Sequence, residues 1–144
     1  MKKIFMLMTF VIGMILTTTA SADSWIGFHE DSLSQYFIDT NSVAIHKNED
    51  GVKIFSATFK IVFTDKGRKA TSRENYKETI AVYAFAKEKS EKFYSVRSRK
   101  FYALNGSLIN SVDKAEKWQP VKSDDKITNA MFNIAELYLV NVYK

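Results

Sequence analysis

The segment Val52–Thr64 constrains the fold of this chain more than any other. Phe55, Ala57, Phe59, Ile61 and Phe63 fall on one side of an extended chain, and Ile54, Ser56, Thr58, Lys60 and Val62 on the other. Successive side chains of a strand point to opposite faces, so this period of two predicts a half-buried antiparallel strand. Such a strand cannot stand alone. It needs paired neighbours and a second layer over its aromatic face.

The neighbours are legible on both sides. Ser24–Phe28 reads as a first strand, Glu30–Ser34 as a polar connection and Gln35–Ile38 as a second strand. The second strand runs into Asp39-Thr40-Asn41-Ser42, residues whose side chains bond to nearby backbone. A tight, self-capped corner is expected there, seated on the core by Val43 and Ile45. His46–Gly51 reads as a hairpin loop, with Asp50-Gly51 the strongest turn signal in the chain. After the alternating strand comes a basic polar loop, Asp65–Asn75. In Tyr76–Ala86, Tyr76, Ile80 and Ala84 fit a helical face. The β-formers Thr79, Ile80, Val82, Tyr83 and Phe85 favour a strand instead.

Lys87–Lys92 is a charged turn, and Phe93–Leu104 a long strand with Tyr94, Val96, Tyr102 and Leu104 on one face. The centre of that strand, Arg97–Lys100, is polar on both faces, the mark of an exposed edge, a bulge or a bend. Asn105-Gly106 signals another hairpin, returning through Ser107–Val112. Trp118-Gln119-Pro120-Val121 crosses over, with Pro120 ending regular pairing. Ser123-Asp124-Asp125 then caps a helix. Its apolar stripe is expected to be Ile127, Met131, Ile134, Leu137, Tyr138 and Val140 or Asn141, lying on the Phe55–Phe63 face. The expected fold is α+β: a meander of about six antiparallel strands with a C-terminal helix packed on one face of the sheet.

The chain opens with a different composition. Lys2 and Lys3 precede an apolar run, Ile4–Leu16, and small residues ending Ala20-Ser21-Ala22. This reads as a secretory signal peptide over residues 1–22, cut after Ala22. The run is shorter than the roughly 20 residues of a membrane span. The absence of cysteine excludes a lipid anchor at the cut site. Residues 23–144 are expected to form a single domain, located in the periplasm or at the cell surface and beyond. Exported domains of this size often carry disulfides. Here stability must come from packing or from a partner chain. Both Trp, all seven Tyr and nine of the eleven Phe lie after residue 22, so that packing is aromatic.

No catalytic set emerges from the sequence. Thiol chemistry is impossible without cysteine. His29 and His46 stand 17 residues apart, without metal-ligand spacing and without a nucleophile motif nearby, and read as surface histidines. No glycine-rich phosphate loop is present, and the acidic residues are scattered. No enzyme activity, cofactor or metal is therefore expected.

Charge is the remaining lead. Without Lys2 and Lys3, 19 basic residues face 16 acidic ones, a net of +3, too small for a nucleic-acid binder. Lys66, Arg68, Lys69 and Arg73 crowd one loop. Lys87, Lys89, Lys92, Arg97, Arg99 and Lys100 crowd another hairpin. If the two lie at one end of the sheet, a basic rim forms, flanked by Tyr94 and Tyr102. Its binding candidates are Arg68, Lys69, Lys87, Lys89, Arg97, Arg99 and Lys100, and its ligand would be an anionic glycan, an acidic protein segment or an anionic lipid head group. The plainer reading is a solvated surface of mixed charge, with Glu74, Glu88 and Glu91 offsetting the lysines.

Taken in order, the chain resembles the surface-adhesin protein E-like family of small exported bacterial proteins. The resemblance rests on Trp25, on Tyr36-Phe37-Ile38-Asp39-Thr40-Asn41-Ser42-Val43 and on the Phe55–Phe63 strand. It continues through Tyr83-Ala84-Phe85, Phe101-Tyr102 ahead of Asn105-Gly106, and Trp118-Gln119-Pro120-Val121 before the last helix. It implies an antiparallel sheet carrying a helix, an envelope location, attachment to host or extracellular ligands, and a homodimer as one form of the protein. Family members often carry cysteines near the position of Ala86–Lys87 and in the last helix. Both are absent here, so no disulfide ties helix to sheet.

The resulting expectation is an exported, non-enzymatic binding module of the bacterial envelope, adhesin-like in role, with an extracellular or envelope protein or an anionic glycan as partner. The alternatives are a periplasmic small-ligand carrier, an accessory or inhibitor protein docking through a sheet edge near Arg97–Lys100, and an enzyme of unknown substrate.

Overall fold

The computed structural model describes residues 24–142, so the expected leader over residues 1–22 lies outside the described residues. The strands are β1 (Trp25–Glu30), β2 (Ser34–Glu49), β3 (Val52–Phe63), β4 (Tyr76–Glu88), β5 (Glu91–Ala103), β6 (Leu108–Val112) and β7 (Gln119–Pro120). A short helix, α1 (Asp65–Ala70), follows β3, and α2 (Lys126–Val142) closes the chain. β1 to β6 form one antiparallel meander in sequence order, and β7 joins it by pairing with β5. The expected α+β architecture is thus the observed one. Among the described residues no helix is long and apolar enough to cross a membrane.

Turn chemistry sets the meander. Asp50 and Gly51 both take positive φ, +55° and +72°, the conformation that a two-residue hairpin of right-handed twist requires. β2 therefore runs on to Glu49, and the loop expected from His46 shrinks to two residues. The corner at Asp39 lies inside β2. Between the pairs Asp39–Thr58 and Ala44–Ser56, four residues of β2 oppose one of β3. Asp39 Oδ1 accepts from Asn41 N–H (3.0 Å), Ser42 Oγ donates to Asp39 O (2.7 Å), and Thr58 N–H donates to Ser42 Oγ (2.7 Å). The excursion thereby satisfies its own buried polar groups.

The loop after β3 is more structured than its polar composition suggests. Thr64 caps α1, its Oγ accepting from Gly67 N–H at 3.0 Å. Gly67 lies so close to Leu33 that a Cβ would stand 2.0 Å from the Leu33 carbonyl oxygen, so only glycine lets α1 dock there.

The core lies between α2 and one face of the sheet. Phe132 meets Phe55 and Phe85 at centroid distances of 5.2 and 5.4 Å, and Phe59 meets Tyr83 edge-on at 5.5 Å. Asp125 caps α2, its Oδ1 accepting from Thr128 N–H at 3.0 Å. The stripe of α2 is rotated from the expected one. Thr128, Met131, Phe132, Ala135 and Leu139 are buried, while Leu137 and Val140 face solvent. Small Ala135 lets the helix approach the Phe55–Phe85 pair, and apolarity alone did not reveal that choice of face. Glu136 on α2 reaches Lys53 Nζ (3.3 Å) and Lys87 Nζ (3.4 Å) on the sheet, and this ion pair binds helix to sheet without a disulfide.

A second apolar cluster, Val52, Ile54, Ala84, Ala86, Phe93 and Trp118, lies on the opposite face. There the cover is the segment that links β6 to β7. It runs along the outer edge of β5, where Glu116 N–H donates to Val96 O (2.8 Å) and Ser95 Oγ donates to Glu116 O (2.5 Å).

Candidate functional site

Two β-bulges place the most unusual side chains of the protein on the face opposite α2. On β5, Val96 pairs with Tyr83 and Ser98 with Val82, leaving Arg97 as an extra residue. On β2, Ile45 pairs with Phe55 and Lys47 with Ile54, leaving His46 as an extra residue. A bulge re-aims the side chain it carries. Between the two bulges the cross-strand row Ala44–Ser56–Ala84–Ser95 forms a floor of small side chains. In the row beside it, Ile54, Ala86 and Phe93 make one apolar wall.

Arg97 lies over this floor and under Trp118. Its guanidinium carbon is 4.9 Å from the Trp118 ring centroid, and the residue is only 5% exposed. Its Nε and Nη2 atoms are buried without a hydrogen-bond partner, and so is Trp118 Nε1. Burial pushes the Arg97 guanidinium below its ordinary value. From the far side, His46 Nε2 and Ser56 Oγ share a 2.7 Å hydrogen bond. Burial, reinforced by the positive charge of Arg97, pushes His46 below its ordinary value and so favours the uncharged ring. Two acidic groups of neighbouring segments are engaged elsewhere: Glu116 pairs with Arg99, and Asp39 Oδ1 accepts from Asn41 N–H. The arrangement is a closed slot, filled by the Arg97 side chain and capped by the Trp118 ring, with one buried positive charge, three unfilled donors and an apolar side. Among the described residues no group of His, Asp or Glu suits a metal ion.

The basic residues singled out in the sequence are scattered by the same topology. Arg68 and Lys69 sit on α1, beyond the end of β3, where Arg68 pairs with Asp65 and donates to Phe63 O at 2.9 Å. Lys87 and Lys89 sit at the β4–β5 hairpin, at the other end of β4, roughly 40 Å away at about 3.3 Å per strand residue. Consecutive connections of a meander alternate between the two ends of the sheet, so the proposed single rim does not form. Lys87 is engaged by Glu136, and Arg99 by Glu116 on the α2 side of the sheet. Lys100, between Ile80 and Ser111, is half-buried. Of the seven candidates only Arg97 belongs to the slot. The outer edge of β5, considered open near Arg97–Lys100, is occupied by β6 and β7.

Sequence reasoning missed His46, which is a strand residue and not a loop one, and gave Trp118 only a place in a crossover. The available signal was the polar centre of β5 together with small residues recurring at matched positions on four neighbouring strands. Compared with protein-family models, with curated proteins and with solved structures, the chain finds no match.

Proposed function

We propose that this chain is an exported, non-enzymatic binding module of the bacterial cell envelope, which engages a host, extracellular or envelope partner through an anionic group. One observation carries this reading: the Arg97 guanidinium is buried with two N–H groups unfilled and no carboxylate paired to it. An uncompensated buried charge costs several kcal/mol. A group that fills it from outside recovers that energy on binding. The leader-like N-terminus supports export, and the closed aromatic core supports a role as a rigid platform. The carrier alternative draws on the same slot, since a buried site beneath one indole suits a small group better than a broad surface.

The test has two parts. Producing cells are treated with a protease that cannot enter them, with a periplasmic protein as control. Loss of the chain while the control survives places it outside and favours attachment; survival of both favours a periplasmic carrier; an uncut leader in the cytosolic fraction overturns export. The purified chain is then screened by thermal shift against a sulfated oligosaccharide, an acidic peptide and a set of carboxylates. A rise in Tm that disappears in Arg97→Met supports the reading. No rise with any anion overturns it.

A further inference from the structure

The unfilled donors of Arg97 are not arbitrary. Nε–H and the Nη2–H that runs parallel to it form one edge of the guanidinium, the fork that accepts two oxygens of one group side by side. The guanidinium itself fills the layer between the Trp118 ring and a floor of Ala44, Ser56, Ala84 and Ser95, so room for a ligand beside that edge opens only when Trp118 moves. Trp118 Nε1 adds a third donor. The apolar residues Ile54, Ala86 and Phe93 continue directly from it.

Resting on the binding-module reading, the geometry points to the ligand class: a monocarboxylate carried on an apolar body, its two oxygens on Arg97 Nε and Nη2 and its apolar part along Ile54, Ala86 and Phe93. Three features select this class over a phosphate or a sulfated glycan. A carboxylate is planar and fits between a ring and a flat floor, whereas a phosphate or sulfate is tetrahedral. Arg97 is the one buried cation among the described residues and Lys47 pairs with Glu49 at 3.3 Å, so a single negative charge balances the slot. The wall is apolar, where a sugar ring would leave its hydroxyls unpaired. The Trp118 side chain is 8% exposed and closes the slot, so the ligand must displace it to enter.

Trp118 reports on its own displacement once Trp25, the other tryptophan, is replaced by phenylalanine. The mature chain carrying Trp25→Phe is titrated with octanoate, with octanamide as the uncharged control and octyl phosphate as the tetrahedral one. A peptide ending in leucine is added in free-acid and amidated forms. Expected are a saturable change in Trp118 emission with octanoate, none with octanamide, and affinity weakened roughly 10- to 100-fold in Arg97→Lys, which keeps a charge but loses the fork. Arg97→Met, checked for native circular dichroism, should not bind. Octanoate binding alone assigns free acids, binding of the free-acid peptide alone assigns chain ends, and both uphold the carboxylate class. Arg97-dependent binding of octyl phosphate or of the sulfated oligosaccharide, without octanoate, overturns the class and leaves the binding module standing. Octanoate binding unchanged in Arg97→Met overturns the slot itself.

Discussion

Arg97 behaves unlike a structural residue, and its substitution separates the two roles. A structural arginine loses stability when removed. A buried guanidinium lacking a partner is a liability in the free protein, and replacing such charges by apolar side chains is often neutral or stabilising by about 1–4 kcal/mol. The cation–π contact with Trp118 returns only about 0.5–2 kcal/mol. Arg97→Met is therefore expected to raise the urea midpoint of the free chain or leave it unchanged, and a large loss of stability would assign Arg97 to the scaffold. His46 gives the slot a pH signature. Its folded value lies below the unfolded one of about 6.5, so the unfolded chain takes up the proton first as pH falls. Stability should be full above about pH 6.5 and decline below it, through the lowered folded value. The decline should be smaller in His46→Gln when both are followed by urea melts from pH 7.5 to 4.5. Neither role was legible beforehand. The Arg97–Lys100 run suggested a bulge, which is present, but burial of Arg97 depends on Trp118 folding over it from 21 residues further along the chain.

Among the elements, the alternating strand was the most legible because its period of two survives any context. Phe59 is 1% exposed and wedged between Phe28, Tyr83 and Phe85. Phe59→Ala should cost about 3–5 kcal/mol in a urea melt. The terminal helix was legible in existence and in its Asp125 cap, but not in phase, since two of its apolar residues, Leu137 and Val140, face outward and only the partner surface decides which. Its ionic tie to the sheet was equally hidden. Glu136 serves Lys53 and Lys87 at once, with partly exposed side chains. Glu136→Gln is expected to cost about 1 kcal/mol, less at high salt. Urea melts with and without 1 M added salt (roughly a 3 Å screening length) measure both effects.

At the scale of the whole molecule, the meander explains why a charged rim was the wrong picture. Counting lysines and arginines along the chain cannot reveal that successive connections alternate between the two ends of the sheet. The face opposite α2 was invisible for a related reason. Its site draws two or three residues from each of four strands, and no local window of sequence contains it. Yet its construction is economical. Arg97 and His46 are each the one surplus residue of a bulge, and the ladders resume in register on either side. In genetic terms each is a single extra codon in its strand. Deleting both should leave a sheet without these two bulges that still folds, with native far-ultraviolet circular dichroism and an intact aromatic core, and no longer responds to anions. Scaffold and recognition are then separately heritable: one sheet can gain, lose or exchange its specificity by insertions of one residue, without rewriting the strands that carry it.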